Sequence, residues 1–151
     1  MKNDSASIVL SLLRATHRVL QMLEETAKEL DVSPVEMNVL ASLGTAEDST
    51  VSQLGRATGM RPSTTTGVLD RLEARGLLER RPNPADRRSA NVALTKLGES
   101  VAQRVLAAMQ TVDDRVRDCI GDGLLAGYHE VVGALGLLMS SAGPNGRADA
   151  H

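Results

Sequence analysis

Hydroxyl and guanidinium side chains between residues 50 and 95 are the groups in this sequence whose types and spacing could do recognition chemistry. The run Arg61-Pro-Ser-Thr-Thr-Thr66 opens a predicted helix, and Ser63, Thr64 and Arg71 fall on its outward face. Short side chains permit close approach to the floor of a DNA major groove, and the helix dipole favours a phosphate at this end. The alternative is that a cluster of serine and threonine is only a solvated helix start.

A second charged group lies between two segments with alternating apolar side chains. Residues 77–81 and 90–94 are predicted strands, and Asp86, Arg87 and Arg88 fall in the loop between them. An acidic residue beside two arginines can hold a guanidinium in one rotamer, which reduces the entropy lost when that side chain enters a narrow minor groove. The alternative is a solvated charge cluster. Asp86 is therefore predicted to orient the arginines of a wing.

Charge is distributed unevenly along the chain, whose formal net charge is -2. Residues 56–88 carry eight basic and four acidic side chains, whereas residues 1–55 carry four and eight, and residues 89–151 carry five and seven. A basic patch within an acidic frame can dock on phosphate. Because Tyr128 is the one residue of the Phe, Trp and Tyr class, the sequence lacks the stacking platforms that bind single strands and RNA loops. Double-stranded DNA is the predicted partner.

The periodicity of apolar residues predicts the elements that position these groups. Helices are expected at 8–30, 34–43, 51–58, 62–75, 98–119 and 124–139, with one β-hairpin at 77–94. Ser33 and Glu36 form a predicted capping box at the second helix. The predicted inner face of that helix comprises Val35, Val39, Leu40 and Leu43. The pattern predicts a mainly α fold with a small β-hairpin wing (α+β), which is a winged helix-turn-helix core.

Length and periodicity also predict the domain organisation. One domain, residues 1–140, is the default for a chain of 151 residues. It would hold the winged helix-turn-helix at 34–95 between dimerisation helices at 5–32 and 98–140, and residues 141–151 would form a disordered tail. The residues predicted to form the dimer interface are Ile8, Leu12, Val116, Ile120, Leu124, Tyr128, Val131, Leu135 and Leu138.

Several motifs in the middle of the chain occur in an order that resembles the MarR family of bacterial transcription regulators. They are Asp70-Arg71-Leu72-Glu73, Gly76-Leu77, Asp86-Arg87-Arg88, Leu94-Thr95 and Gly98. The resemblance implies a homodimeric winged helix-turn-helix repressor or activator, with DNA contacts from Ser63, Thr64, Thr66, Arg71, Arg87 and Arg88. One departure is Gly67, where family members often carry an arginine or another larger polar residue, so base reading would be lost there or shifted to Arg61 and the threonines.

The predicted DNA-binding set combines the basic and hydroxyl residues of this segment. Its members are Arg56, Arg61, Ser63, Thr64, Thr65, Thr66, Arg71, Arg75, Arg87 and Arg88. The arginines are expected to contact phosphates or a minor groove, and the hydroxyls are expected to lie at the major-groove floor or against flanking phosphates. Thr65 points partly inward on the predicted helix.

Other candidate sites are weaker. A ligand-released repressor is what the resemblance implies, with a pocket between the dimer helices and the winged domain, and His17 is a candidate ligand contact. A lone histidine on a long helix is more often structural. The single cysteine, Cys119, lies in line with an apolar stripe, which is more typical of a small buried residue than of an oxidant sensor.

The remaining expectations are largely exclusions. No metal quartet, phosphate-cradling glycine loop or nucleophile elbow is present, so we predict neither a cofactor nor a metal nor an enzyme. No apolar run suits a membrane span, and the start of the chain lacks a cleavable signal, so a cytoplasmic protein is expected. The leading hypothesis is a dimeric double-stranded-DNA-binding regulator that recognises a pseudo-palindromic operator and responds to a small-molecule effector. The alternatives are a winged-helix protein-interaction module and a Cys-based redox-responsive regulator.

Overall fold

A computed structural model describes residues 7–46, 49–86, 88–120 and 122–141. In chain order the elements are α1 (Ile8–Leu30), α2 (Pro34–Gly44), β1 (Ser49–Thr50), α3 (Val51–Thr58), α4 (Pro62–Ala74), β2 (Leu78–Pro82), β3 (Ala90–Leu94), α5 (Lys96–Cys119) and α6 (Asp122–Ser141). This order confirms the predicted mainly α fold with a β-hairpin wing. The predicted tail lies outside the described residues, except that Ser141 ends α6.

The strands form one small antiparallel sheet in the order β1-β3-β2. β2 pairs with β3 from Leu78 opposite Leu94 to Pro82 opposite Ala90, in agreement with the predicted hairpin. β1 pairs with the other side of β3, and the sequence did not predict it because two residues are too few to show alternation. β2 is therefore an edge strand of the sheet.

The chain divides into two compact units, Met1–Val112 and Asp113–His151, with the boundary inside α5. The first unit contains α1 to α4, the sheet and most of α5, and its core is apolar. Its most deeply buried side chains include Met37, Val39, Leu40, Leu54, Val68, Leu69, Leu72, Leu78, Val92 and Val105. The predicted single domain with a winged helix-turn-helix at 34–95 stays a prediction.

The inner face of α2 differs from the predicted one in its first turn. Val39, Leu40 and Leu43 are buried as predicted, but Val35 is 41% exposed and Met37, at 1%, lies inside instead. Glu36 is also buried, with 6% of its surface exposed. The first turn of α2 therefore directs residues 36 and 37 inward, on the face of Leu40 and Leu43, and leaves residue 35 outside.

Glu36 caps α2 and also reaches the fourth helix. Its Oε2 accepts hydrogen bonds from the backbone N–H of Ser33 at 2.8 Å and from the Ser33 hydroxyl at 2.9 Å, which completes the predicted capping box. Its Oε1 accepts from Nε of Arg71 at 3.2 Å. Burial raises the pKa of Glu36, but the hydrogen bonds from Ser33 and Arg71 and the positive charge of Arg71 outweigh it, so the pKa is lowered overall.

Thr95 and Gly98 join the start of α5 to the residues that follow α4. The backbone N–H of Thr95 donates to the carbonyl of Leu77 at 3.1 Å, and its hydroxyl donates to the carbonyl of Gly76 at 2.6 Å. The same hydroxyl oxygen accepts from the N–H of Gly98 at 3.1 Å. A Cβ placed on Gly98 would lie 1.7 Å from the carbonyl oxygen of Leu77, so only glycine fits there.

We expect Gly98→Ala to lower the free energy of unfolding by about 1–3 kcal/mol, because a methyl group must push α5 away from a backbone carbonyl. Gly67→Ala is the matched control, since a Cβ there would find its nearest neighbour, Nη1 of Arg71, at 3.9 Å. The control should be stabilised by about 0.5–1 kcal/mol because alanine favours a helix interior. Urea unfolding measures both changes, and equal effects would contradict the close approach at Gly98.

We expect Glu36→Gln to retain the α2 cap, which glutamine can also make, but to lose the charge opposite Arg71. The loss should be about 1 kcal/mol near neutral pH, because Arg71 is largely exposed. Since the folded-state pKa of Glu36 is lowered, the advantage of the wild-type protein is complete above the ordinary value of 4.5 and disappears as the pH falls through the folded value.

Urea unfolding of both proteins from about pH 7 to about pH 3 checks this dependence. The two free energies of unfolding should converge as the pH falls. A difference that stays constant over the whole range would contradict a role for the Glu36 charge.

Candidate nucleic-acid interface

The first turn of α4 is open to solvent and has no side-chain cap. Arg61 occupies the N-cap position without a capping hydrogen bond, and Pro62 is the first helical residue. Ser63, Thr64 and Thr66 are exposed. By contrast, α2 and α3 both begin with complete capping boxes. The unpaired N–H groups and the positive end of the α4 dipole are therefore available to an anion such as a phosphate.

Thr65 lies in the core and not on the outer face of α4. Its side chain has 0% exposed surface, and its hydroxyl donates to the carbonyl of Arg61 at 3.1 Å. The same hydroxyl lies 3.2 Å from the position that a Cβ on Gly55 of α3 would take. Helical spacing already indicated that Thr65 points partly inward, and its complete burial against α3 argues against its inclusion in the predicted DNA-binding set.

Arg71 and Arg75 also belong to the predicted DNA-binding set. In the structure both form ion pairs with acidic residues of the first unit. Arg71 contacts the buried carboxylate of Glu36, as described above. Nη2 of Arg75 donates to the carbonyl of Leu30 at 3.3 Å and lies 3.6 Å from Oδ2 of Asp31. These contacts tie the C-terminal half of α4 to the junction between α1 and α2, while a DNA contact by either arginine stays a prediction.

Arg80 of β2 lies between two carboxylates of α4. Its Nη1 is 2.5 Å from Oε2 of Glu73, and its Nη2 is 2.7 Å from Oδ1 of Asp70. Its backbone N–H also donates to Oε1 of Glu73, at 3.2 Å. Sequence reasoning missed this cluster, although two acidic residues three positions apart on one helix face are a signal for a shared cation.

The wing loop is shaped by Asp86 through the backbone. The carboxylate of Asp86 accepts the N–H of Arg88 at 2.9 Å, and its carbonyl accepts the N–H of Ser89 at 3.0 Å. Asn83 supports the other side of the loop through a 2.9 Å hydrogen bond to the Ser89 hydroxyl. Asp86 therefore fixes the turn itself, and its predicted role in orienting a guanidinium stays a prediction. Arg87 lies outside the described residues.

Three further arginines of the predicted set have exposed side chains. They are Arg56 at the end of α3, Arg61 before α4 and Arg88 in the wing loop. None of the three forms an ion pair with another residue of the described part of the chain. Their positive charges are uncompensated there, which suits them to phosphate.

The residues predicted to form a dimer interface are mainly exposed apolar side chains. In the first unit Ile8 is exposed and Leu12 is half-buried. In the second unit the exposed members are Val116, Tyr128, Leu135 and Leu138, and the half-buried ones are Ile120 and Val131. Leu124 belongs to α6, but its side chain is not among those described. Each unit thus presents apolar surface on helices that the sequence assigned to a dimer interface.

A cavity of about 1120 Å³ opens in the first unit beside the anchored half of α4. α1, the start of α2 and the end of α4 supply most of its walls. His17, the predicted ligand contact, is among the lining residues, and so are Arg71 and Arg75. The cavity therefore combines an apolar wall, including Leu20 and Leu23, with two arginines that hold α4.

The remaining sequence-based expectations concern the cysteine, metal sites and membrane-spanning helices. Cys119 is exposed at the end of α5, where the sequence pattern favoured a buried position. Across the ranges that the structure describes, no three His, Cys, Asp or Glu side chains come together as a possible metal site. A search of the same residues finds no helix that is both long and apolar enough to cross a membrane.

Comparison with known proteins gives consistent matches. A model of the MarR family matches residues 30–89. The HTH-type transcriptional repressor MdtR of Bacillus subtilis (strain 168) is 31% identical over 107 residues, which cover 71% of this chain and 69% of MdtR. The multiple antibiotic resistance protein MarR of Escherichia coli (strain K12) is 31% identical over 106 residues, 68% of this chain and 74% of that protein.

The fold also has solved relatives. NadR in complex with 4-hydroxyphenylacetate aligns with a TM-score of 0.78 at 18% identity, covering 90% of this chain and 96% of NadR. That similarity shows the fold, and the two sequence relatives show the family. Because the family consists of regulators, the prediction that the chain is not an enzyme is confirmed. The chain is a member of the MarR family of winged helix-turn-helix transcription regulators.

Proposed function

We propose that this regulator represses transcription by binding a pseudo-palindromic operator as a homodimer, with the start of α4 in the major groove and the wing in the adjacent minor groove. The observation that carries the proposal is the uncapped, exposed first turn of α4, with small hydroxyl side chains beside it. Two such helices would enter successive major grooves about 34 Å apart. A DNA partner also fits the predicted cytoplasmic location.

The proposed contacts divide into two groups. Ser63, Thr64 and Thr66 are short enough for close approach to base edges and phosphates. Arg56, Arg61 and Arg88 are exposed and carry charges with no described ion-pair partner, so we assign them to phosphates or to the minor groove together with Arg87. We assign Arg71 and Arg75 a supporting role, because their guanidinium groups already hold α4 against α1 and α2.

The proposed dimer rests on the exposed apolar side chains of α1 and α6. Ile8, Val9 and Leu13 of α1 are each more than 60% exposed, and Tyr128 and Leu135 of α6 are also exposed. Such side chains on two amphipathic helices are typical of an interface between protomers. Operator binding with a stoichiometry of two chains per duplex is the expected consequence.

The proposed effector is a small aromatic acid that binds in the cavity beside α4. Apolar walls suit a ring, and a ligand carboxylate would compete for Arg71 and Arg75 with Glu36 and Asp31, which pair with them and line the same cavity. NadR, which shares the fold, binds 4-hydroxyphenylacetate. A ligand releases DNA only when it binds the DNA-free conformation more tightly than the DNA-bound one.

We expect fluorescence anisotropy with the promoter region of its own gene to show saturable, sequence-selective binding. Arg87→Ala and Arg88→Ala together should weaken this binding and lower the slope of log affinity against log salt by about two, because each lost phosphate contact removes about one released counterion. Arg104→Ala is the matched control, since Arg104 of α5 pairs with Glu29 at 2.8 Å, and its slope should equal that of the wild type.

Two results would count against the proposal. Absence of selective binding by the wild-type protein would favour the protein-interaction alternative. An unchanged slope in the double variant would remove the wing from the interface.

We expect 4-hydroxyphenylacetate to raise the Kd for the operator by about fivefold or more, because typical couplings between two ligands lie between about 5-fold and 150-fold. The neutral amide, 4-hydroxyphenylacetamide, is the matched control and should leave the Kd unchanged, since it cannot form a charged contact with Arg71 or Arg75. Equal effects of the acid and the amide would contradict the proposed carboxylate contact. No effect of either would contradict the proposed ligand class.

A further inference from the structure

The side chain of Arg80 links β2, which leads into the wing, to α4. It contacts one carboxylate oxygen of Glu73 and one of Asp70, and only 26% of it is exposed. The backbone N–H of Arg80 adds a third hydrogen bond, to the second oxygen of Glu73. Hydrogen bonds between charged groups are about twice as strong as neutral ones, and a planar guanidinium that makes two of them has a fixed orientation.

Because of its position in the sheet, Arg80 attaches the strand that leads into the wing to α4. β2 is an edge strand, and β3 contacts it on one side only. Arg80 stands opposite Val92 in the middle of the hairpin, between α4 and the wing loop at 83–89. Glu73 holds both the side chain and the backbone of this residue, so the strand that carries the wing is attached to α4 at its centre.

The charge of Arg80 is already balanced within the protein. Two carboxylates face one guanidinium, and the neighbouring Arg81 pairs with Glu79. Arg80 therefore differs from Arg56, Arg61 and Arg88, whose charges have no described ion-pair partner. The two carboxylates therefore reduce the attraction of Arg80 for a phosphate.

We propose that Arg80 is a positioning residue for DNA binding, which together with Asp70 and Glu73 sets the angle between the wing and α4 so that both reach their grooves at once. This inference rests on the proposed function. When two contacts belong to one rigid body, the second forms at a high effective concentration after the first. If the wing is no longer held against α4, the second contact forms at a lower effective concentration. Binding then weakens although no residue that contacts DNA has been removed.

The test compares Arg80→Gln with the wild type on two duplexes, the full operator and a trimmed duplex that lacks the outer base pairs within reach of the wing. We expect Arg80→Gln to weaken binding to the full operator by about tenfold, to weaken binding to the trimmed duplex by less than about twofold, and to leave the salt slope unchanged. Arg81→Gln, on the same strand, is the matched control and should have less than about a twofold effect on either duplex.

A second variant removes the same link from the α4 side. Asp70→Asn with Glu73→Gln leaves Arg80 in place and makes the surface more positive. If charge alone mattered, this double variant would bind the operator more tightly. The positioning role predicts weaker binding to the full operator, by about the same factor as for Arg80→Gln, and Arg80→Lys should recover part of the loss because lysine can still pair with one carboxylate.

Four outcomes would overturn the inference. A fall of about one in the salt slope of Arg80→Gln would make Arg80 a phosphate contact. Equal weakening on both duplexes would indicate a general folding defect, and unchanged binding would show that the wing does not depend on this link. If the wild-type protein itself binds neither duplex selectively, the proposed function fails and the positioning role falls with it.

Discussion

The orientation of α4 depends on the ion pairs made by Asp70, Arg71 and Glu73. Arg71 reaches the buried carboxylate of Glu36 on α2, while the two acidic residues hold Arg80 of β2 on another side. Leu72, between them, is fully buried in the core. Four consecutive residues thus fasten one helix to the core, to α2 and to the wing. Ion pairs are directional where apolar packing is not, so they fix how the helix is turned as well as where it lies.

The two ends of α4 therefore differ in their contacts. The C-terminal half is anchored to neighbouring elements, and the uncapped N-terminal turn is left to solvent. The cavity lies beside the anchored half, and Arg71 and Arg75 belong both to its lining and to the anchor. A molecule in the cavity would therefore contact the groups that orient the helix, which is the physical basis of the effector that we propose.

Local features of this fold could be predicted from the sequence, whereas features that depend on distant residues could not. The Ser33 and Glu36 capping box and the β-hairpin follow from neighbouring residues, and both were predicted correctly. The pairing of Glu36 with Arg71 joins residues 35 positions apart, and no periodicity signals it. The burial of Met37 in place of Val35 was also missed, although Met37 lies three residues before the buried Leu40 on the same helix face. Within the site, helical spacing indicated that Thr65 points partly inward, but its complete burial depends on packing against α3, which no local signal indicates.

We propose that some arginines of this segment bind phosphate while others hold the helix. The most direct measurement is the salt dependence of operator affinity for Arg61→Gln and Arg71→Gln, side by side. Arg61 makes no ion pair with a described residue, so its loss should lower the slope by about one. Arg71 is paired with Glu36, so its loss should weaken binding with an unchanged slope. A slope that falls equally in both variants would contradict this division of roles.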